Sequence, residues 1–132
     1  MAADNIEQVV YLYLTTDSSF MANFTRVDYL ETPDGTAEPY INYWLVDDTG
    51  NDTILNKVEQ GQARIQFDLW DSNLIRGTRL REVLSRKIRE LNESLEGYHL
   101  MITGSAKQTI PRSSGTDPYH FVVDGIIEWY KE

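Results

Sequence analysis

The side chains that could do chemistry are few, and their spacing matches none of the common reactions. The two histidines, His99 and His120, form neither a His-x-x-x-His nor a His-Glu-x-x-His arrangement, and no cysteine stands by to complete a metal set. Each falls in a segment that reads as a strand, where a packing or surface role is expected. The acidic run Asp47-Asp48-Thr49-Gly50-Asn51-Asp52 lacks the oxygen spacing and terminal glutamate of a calcium loop, so it reads as a solvated hairpin tip. Asp68 and Asp71 flank Trp70 and resemble paired carboxylates, but Asp71 stands where a helix cap is wanted. There is no Gly-x-Ser-x-Gly elbow, no glycine-rich phosphate loop, and no serine or threonine placed beside a histidine. No catalytic residue, metal or cofactor is therefore expected.

Charge offers a different kind of function. The chain of 132 residues carries a net charge of −9, which argues against a grip on nucleic acid through neutralised phosphates. Half of its twelve basic residues nevertheless fall in one segment: Arg76, Arg79, Arg81, Arg86, Lys87 and Arg89. With Glu82, Glu90, Glu93 and Glu96 that segment nets +2, so the remainder carries −11. A basic helix on an acidic body suits attachment to further copies of the same chain. The competing expectation is local pairing four residues apart, Arg86 with Glu90 and Arg89 with Glu93.

The elements that must position these groups follow from the hydrophobic pattern. Asp4 as N-cap with Glu7 three residues on predicts a helix over Val9, Val10, Leu12 and Tyr13, and Phe20, Met21 and Phe24 sit at helical spacing. Pro33-Asp34-Gly35 marks a loop within 32–39. A strand is expected over 40–46, returning after the acidic tip as a weaker strand over 53–58. The clearest strand covers 63–70, with Ile65, Phe67 and Leu69 on one face and Arg64, Gln66 and Asp68 on the other. Asp71, Ser72 and Asn73 are three candidate caps for a long helix running to about Glu96 and stopping at Gly97, its start drawn toward Thr78 by Gly77. Leu80, Val83, Leu84, Ile88, Leu91 and Leu95 form its apolar stripe. A strand over 98–103, a mobile loop or hairpin arm over 104–118, and a last strand over 119–130 complete the chain. Gly125 is expected to mark a bulge.

With no linker and no repeat, residues 1–132 read as a single α+β domain. It is an antiparallel or mixed β-sheet with one long helix and a shorter N-terminal helix on one face, plus the arm. No run of about 18 apolar residues is present for a membrane helix. The acidic start is unlike a secretion signal, so the expected compartment is a cytoplasm.

The segment Arg64-Ile65-Gln66-Phe67-Asp68-Leu69-Trp70-Asp71, running straight into a long helix, resembles the tail-completion and tail-terminator proteins of tailed bacteriophages. The Pro39-Tyr40-Ile41 entry to the first strand and a closing strand ending in Trp129-Tyr130 are similar to that family too. Between the first helix and the proline loop, only Arg26-Val27-Asp28-Tyr29 approximates the basic and aromatic segment the family would have. The resemblance implies a virion subunit, assembled in the host cytoplasm, that forms a ring, commonly of six copies, at the head-proximal end of the tail tube. Such a ring terminates tube growth and docks the tail to the head-tail connector protein, while DNA passes through an acidic lumen without specific binding. Its partners would be its own copies, the tail tube protein and the connector. The candidate contacts are Arg76, Arg79, Arg81 and Arg86 on the helix, with Lys107 and Arg112 on the arm. The alternatives are a head-completion adaptor of the same neck, a small cytoplasmic ligand-binding or enzymatic domain, and an acidic DNA mimic.

Overall fold

The computed structural model describes residues 3–52 and 59–132. The first helix, α1 (Ile6–Thr15), buries Ile6, Val9, Val10, Tyr13 and Leu14. Its cap lies one residue later than the pattern suggested. Asn5 accepts from the Gln8 amide at 3.0 Å, while the Gln8 side chain accepts from the Asp4 amide at 2.8 Å. A short helix, α2 (Ser18–Met21), is capped by Asp17 and puts Phe20 and the following Phe24 into the core. Strand β1 (Val27–Tyr29) comes next and pairs in parallel with β2 (Tyr40–Asp52). At three residues, β1 is too short to carry an alternation signal.

The expected tip at Asp47–Asp52 is strand. β2 extends through it and pairs antiparallel with β3 (Glu59–Asp71), Asp47 opposite Arg64, after a bulge between Leu45 and Asp47. The returning partner is thus the main strand itself; the weaker strand expected over 53–58 lies outside the described residues. Helix α3 (Leu74–Arg89) follows after two residues, capped by Asn73, whose side chain accepts from the Arg76 amide at 2.9 Å. It ends seven residues earlier than its apolar stripe suggested. Asn92–Leu95 is a strand, β4, that turns through Glu96 and Gly97 (φ 53° and 85°) into β5 (Tyr98–Ile110). Both turn residues have positive φ, the requirement of a two-residue hairpin of type I′, so Gly97 serves a turn rather than a helix end. Apolar residues at 88, 91 and 95 fit a helix by spacing alone, but Leu91 and Leu95 reach the core from a hairpin.

The sixth strand, β6 (Tyr119–Lys131), completes a mixed sheet of order β1-β2-β3-β6-β5-β4. The 104–118 arm therefore resolves as a hairpin, strand as far as Ile110 and loop over 111–118. Gly125 is no bulge; the irregularity lies in β5 between Ile102 and Gly104. Ile65, Phe67 and Leu69 face the helices with Phe121, Val123 and Ile127, as the alternation of β3 predicts. Two glycines allow α3 to seat on this face. A Cβ at Gly77 would stand 2.3 Å from the Phe121 ring, and one at Gly125 would press Ile88 at 3.1 Å. Gly77 accordingly lies inside α3, and contact with the sheet outweighs its poor helix propensity.

Candidate functional site

The helices cover one face of the sheet and leave the other open. Strands alternate, so Asn42 and Trp44 of β2, Arg64 to Trp70 of β3, His120 to Tyr130 of β6 and Met101 to Ile110 of β5 each send every second side chain to the open face. Trp44, Met101, Ile126 and Tyr130 stand there between 37% and 44% exposed. They are among the large apolar side chains that this face, spread over β2, β6 and β5, leaves in solvent. A cleft of about 470 Å³ opens among Thr49, Gln62, His99, Met101, Glu128 and Tyr130. A second, of about 330 Å³, lies at the far end beside Trp70, Ile110, Arg112 and His120.

Each histidine sits beside one of these clefts, in a polar cluster that the sequence did not reveal. His120 Nε2 meets Asp68 Oδ1 at 2.6 Å, Gln66 donates to the same oxygen at 2.8 Å, and the imidazole stacks on Trp70 at 4.0 Å. The only signal was their shared face: positions 66, 68 and 70 lie on one side of a strand. Which strand carries His120 next to them is decided by the pairing of β3 with β6. Among the described residues no hydroxyl bonds to His120, so this pair lacks a nucleophile. His99 does have one nearby: Ser94 Oγ lies 3.0 Å from its Nδ1, and Asn92 Oδ1 lies 3.0 Å from its Nε2. The Ser94 proton, however, goes to Glu132, which can only accept. Nε2 in turn faces Asn92 Oδ1, an acceptor, so one imidazole ties β4 to β5 through both of its ring nitrogens. Both clusters fasten strands together. Among the described residues no three His, Asp or Glu converge as a metal site.

The candidate cations separate into two groups. Arg76 is held within the chain, donating two bonds of 2.7 Å to Asp71, a carboxylate with no exposure, which also accepts from the Asn73 amide at 3.0 Å. That bond to Asp71 raises the Arg76 pKa above its ordinary value. Asp71 is therefore a buried anchor of the β3–α3 corner, not its cap. Arg81 reaches Thr109 at 2.8 Å and Glu82 at 3.0 Å, and Lys107 pairs with Glu82 from β5. Hydrogen bonds from Lys107 and then Arg81 hold the Glu82 carboxyl below its usual range. Together they clip the hairpin arm to α3. Arg112 lies 4.0 Å over the Tyr119 ring and donates to the Gly115 carbonyl, folding the 111–118 loop on itself.

Arg79, Arg86 and Arg89 remain on the exposed side of α3, and among the described residues none has an acidic partner. The expected Arg86–Glu90 and Arg89–Glu93 pairs do not form, because α3 stops at Arg89 and Glu93 belongs to β4. Lys87 turns back to Asp17 at 2.9 Å, tying α3 to the α2 cap. No helix among the described residues is long and apolar enough to cross a membrane. A scan of protein-family models finds no match to this chain, and no curated protein matches it.

Proposed function

We propose that the chain is a structural subunit of a tailed bacteriophage, of the tail-completion or tail-terminator kind. Copies form a ring at the head-proximal end of the tail tube, stop tube growth and present a docking face to the head connector. The observation that carries this reading is the strand Arg64–Asp71 passing into α3 within two residues, with Asp71 and Arg76 locking the corner. Two surfaces support it. The open sheet face exposes aromatic and aliphatic side chains that a partner would cover, and Arg79, Arg86 and Arg89 present positive charge from a body that is otherwise acidic. A ring requires two different, mutually complementary patches on every subunit. An acidic lumen repels DNA and lets it pass.

Electron microscopy of the purified protein mixed with tail tubes tests the proposal. Rings or caps at one end of the tubes are the expected result. A protein that leaves tube ends bare and is missing from purified virions overturns it. Crosslinking to the connector alone, with none to the tube protein, would transfer the assignment to a head-completion adaptor.

A further inference from the structure

The sheet ends in two long, unpaired strand edges. On one side β1 pairs only with residues 41–43 of β2, so among the described residues no strand covers β2 from Trp44 onward. On the other side β4 pairs only with residues 98–101 of β5, and beyond the Ile102 amide, which donates to Leu91, the edge from Thr103 to Ile110 is uncovered. An uncovered edge is a row of unmet amides and carbonyls, a template for another strand. Proteins that must stay single protect such edges with a proline, a bulge or a charge. From Gly104 to Ile110, β5 has neither proline nor bulge, and its one charge, Lys107, is already met by Glu82 on α3, whereas β2 carries its bulge between Leu45 and Asp47 and the charges of Asp47 and Asp48, which guard it against a second β2 edge.

The two edges differ in charge. Residues 45–49 carry Asp47 and Asp48 and no base, and both stand exposed. Residues 103–112 carry Lys107 and Arg112 and no acid. Two β2 edges therefore repel each other through Asp47 and Asp48, whereas a β5 edge, its Lys107 offset by Glu82 and Arg112 standing just beyond its end, sets no like charge against a β2 edge. We infer that copies of this chain join head to tail by strand addition, the β5 edge of one copy pairing with the β2 edge of the next. The partner is a second copy because one chain presents both edges. It cannot satisfy itself: β3 and β6 lie between them, so the edges are about 14 Å apart at the usual strand spacing. A head-to-tail contact of this kind either closes into a ring or runs on as a filament. Closure rests on the ring reading above; the pairing itself does not.

Disulfide trapping tests the contact directly, because the chain has no cysteine of its own. Thr49 on β2 and Ala106 and Gln108 on β5 all face the open side, where cross-strand neighbours meet. Single variants Thr49→Cys, Ala106→Cys and Gln108→Cys would be mixed in pairs and oxidised mildly, both free in solution and bound to tail tubes. The variant Thr49→Cys/Gln108→Cys would be treated in the same way. The expected result is a crosslink between Thr49→Cys and a β5 variant, and a ladder of multimers from the double variant. Amides of 103–110 should also exchange more slowly in the assembled protein than in the monomer. Crosslinks only between two β5 variants overturn the head-to-tail arrangement. Multimers with neither crosslink nor amide protection overturn edge pairing while leaving the ring intact, and absence of the β2–β5 crosslink both free and on tubes overturns the inference. Whether tube ends are capped at all judges the ring reading separately.

Discussion

Removing Arg76 should destabilise the chain more than removing its partner, and removing both should cost less than removing Arg76 alone. Asp71 has no exposure and accepts two 2.7 Å bonds from Arg76, leaving only the Asn73 amide once the guanidinium is gone. Stranding a buried charge costs about 3–5 kcal/mol, whereas breaking an exposed pair costs about 0–1 kcal/mol. The Arg76 side chain is 42% exposed, so water can take over part of its role. That places Arg76→Ala at about 2–3 kcal/mol, an intermediate figure. For a domain of this size the melting temperature would fall by roughly 6–15 °C. Asp71→Ala returns Arg76 to solvent and leaves one amide near the helix start without its acceptor, costing about 1–2 kcal/mol. In Asp71→Ala/Arg76→Ala no carboxylate is stranded, so the double variant should resemble Asp71→Ala, with a coupling of about 2–3 kcal/mol. Urea unfolding followed by tryptophan fluorescence gives all three values. Arg76→Ala within about 0.5 kcal/mol of the parent, with the two changes simply additive, would refute the argument. Monomer stability unchanged but assembly weakened would instead make Arg76 a seam residue.

Three further outcomes are expected. Arg79→Glu/Arg86→Glu should unfold like the parent, since both side chains are exposed and make no ion pair, yet abolish rings on tail tubes; intact rings would exclude the helix as a contact surface. Burial, then the nearby acids Glu93, Glu90 and Asp17, raises the Tyr13 hydroxyl from 10.0 to about 12, so its stabilisation is complete below pH 10.0 and is lost as pH rises toward 12. Tyr13→Phe should flatten that alkaline slope while costing about 1 kcal/mol at neutral pH for the lost bond to the Lys87 carbonyl, both read from unfolding curves across pH. Gly77→Ala should lose about 1–3 kcal/mol through its overlap with Phe121, although alanine is the better helix former; a gain in stability would show that α3 does not seat as described.

Much of the fold could be read along the chain because its signals are local. The alternation of β3 placed Ile65, Phe67 and Leu69 on the covered face, and the caps before α3 placed its start to within a few residues. Local signals failed where pairing outweighs composition. The polar residues Asp47–Asp52 look like a tip, but β3 holds them as a strand, because backbone hydrogen bonds do not depend on side-chain polarity. Leu91 and Leu95 keep the helical rhythm of α3, yet Glu96 and Gly97 adopt positive φ and turn that stretch into a hairpin.

By itself the sequence determined that the chain has one α+β core without cysteine chemistry, an acidic body and a basic helix. Those are properties of composition and short-range periodicity. Only the tertiary structure decided which of the basic residues are at liberty. Arg76, Arg81 and Lys107 are held by Asp71, Glu82 and Thr109, while Arg79, Arg86 and Arg89 reach solvent. The sheet order likewise put His120 beside Asp68 and, among the described residues, left two strand edges open on opposite margins, because which strands become neighbours is set by long-range pairing that no local pattern encodes.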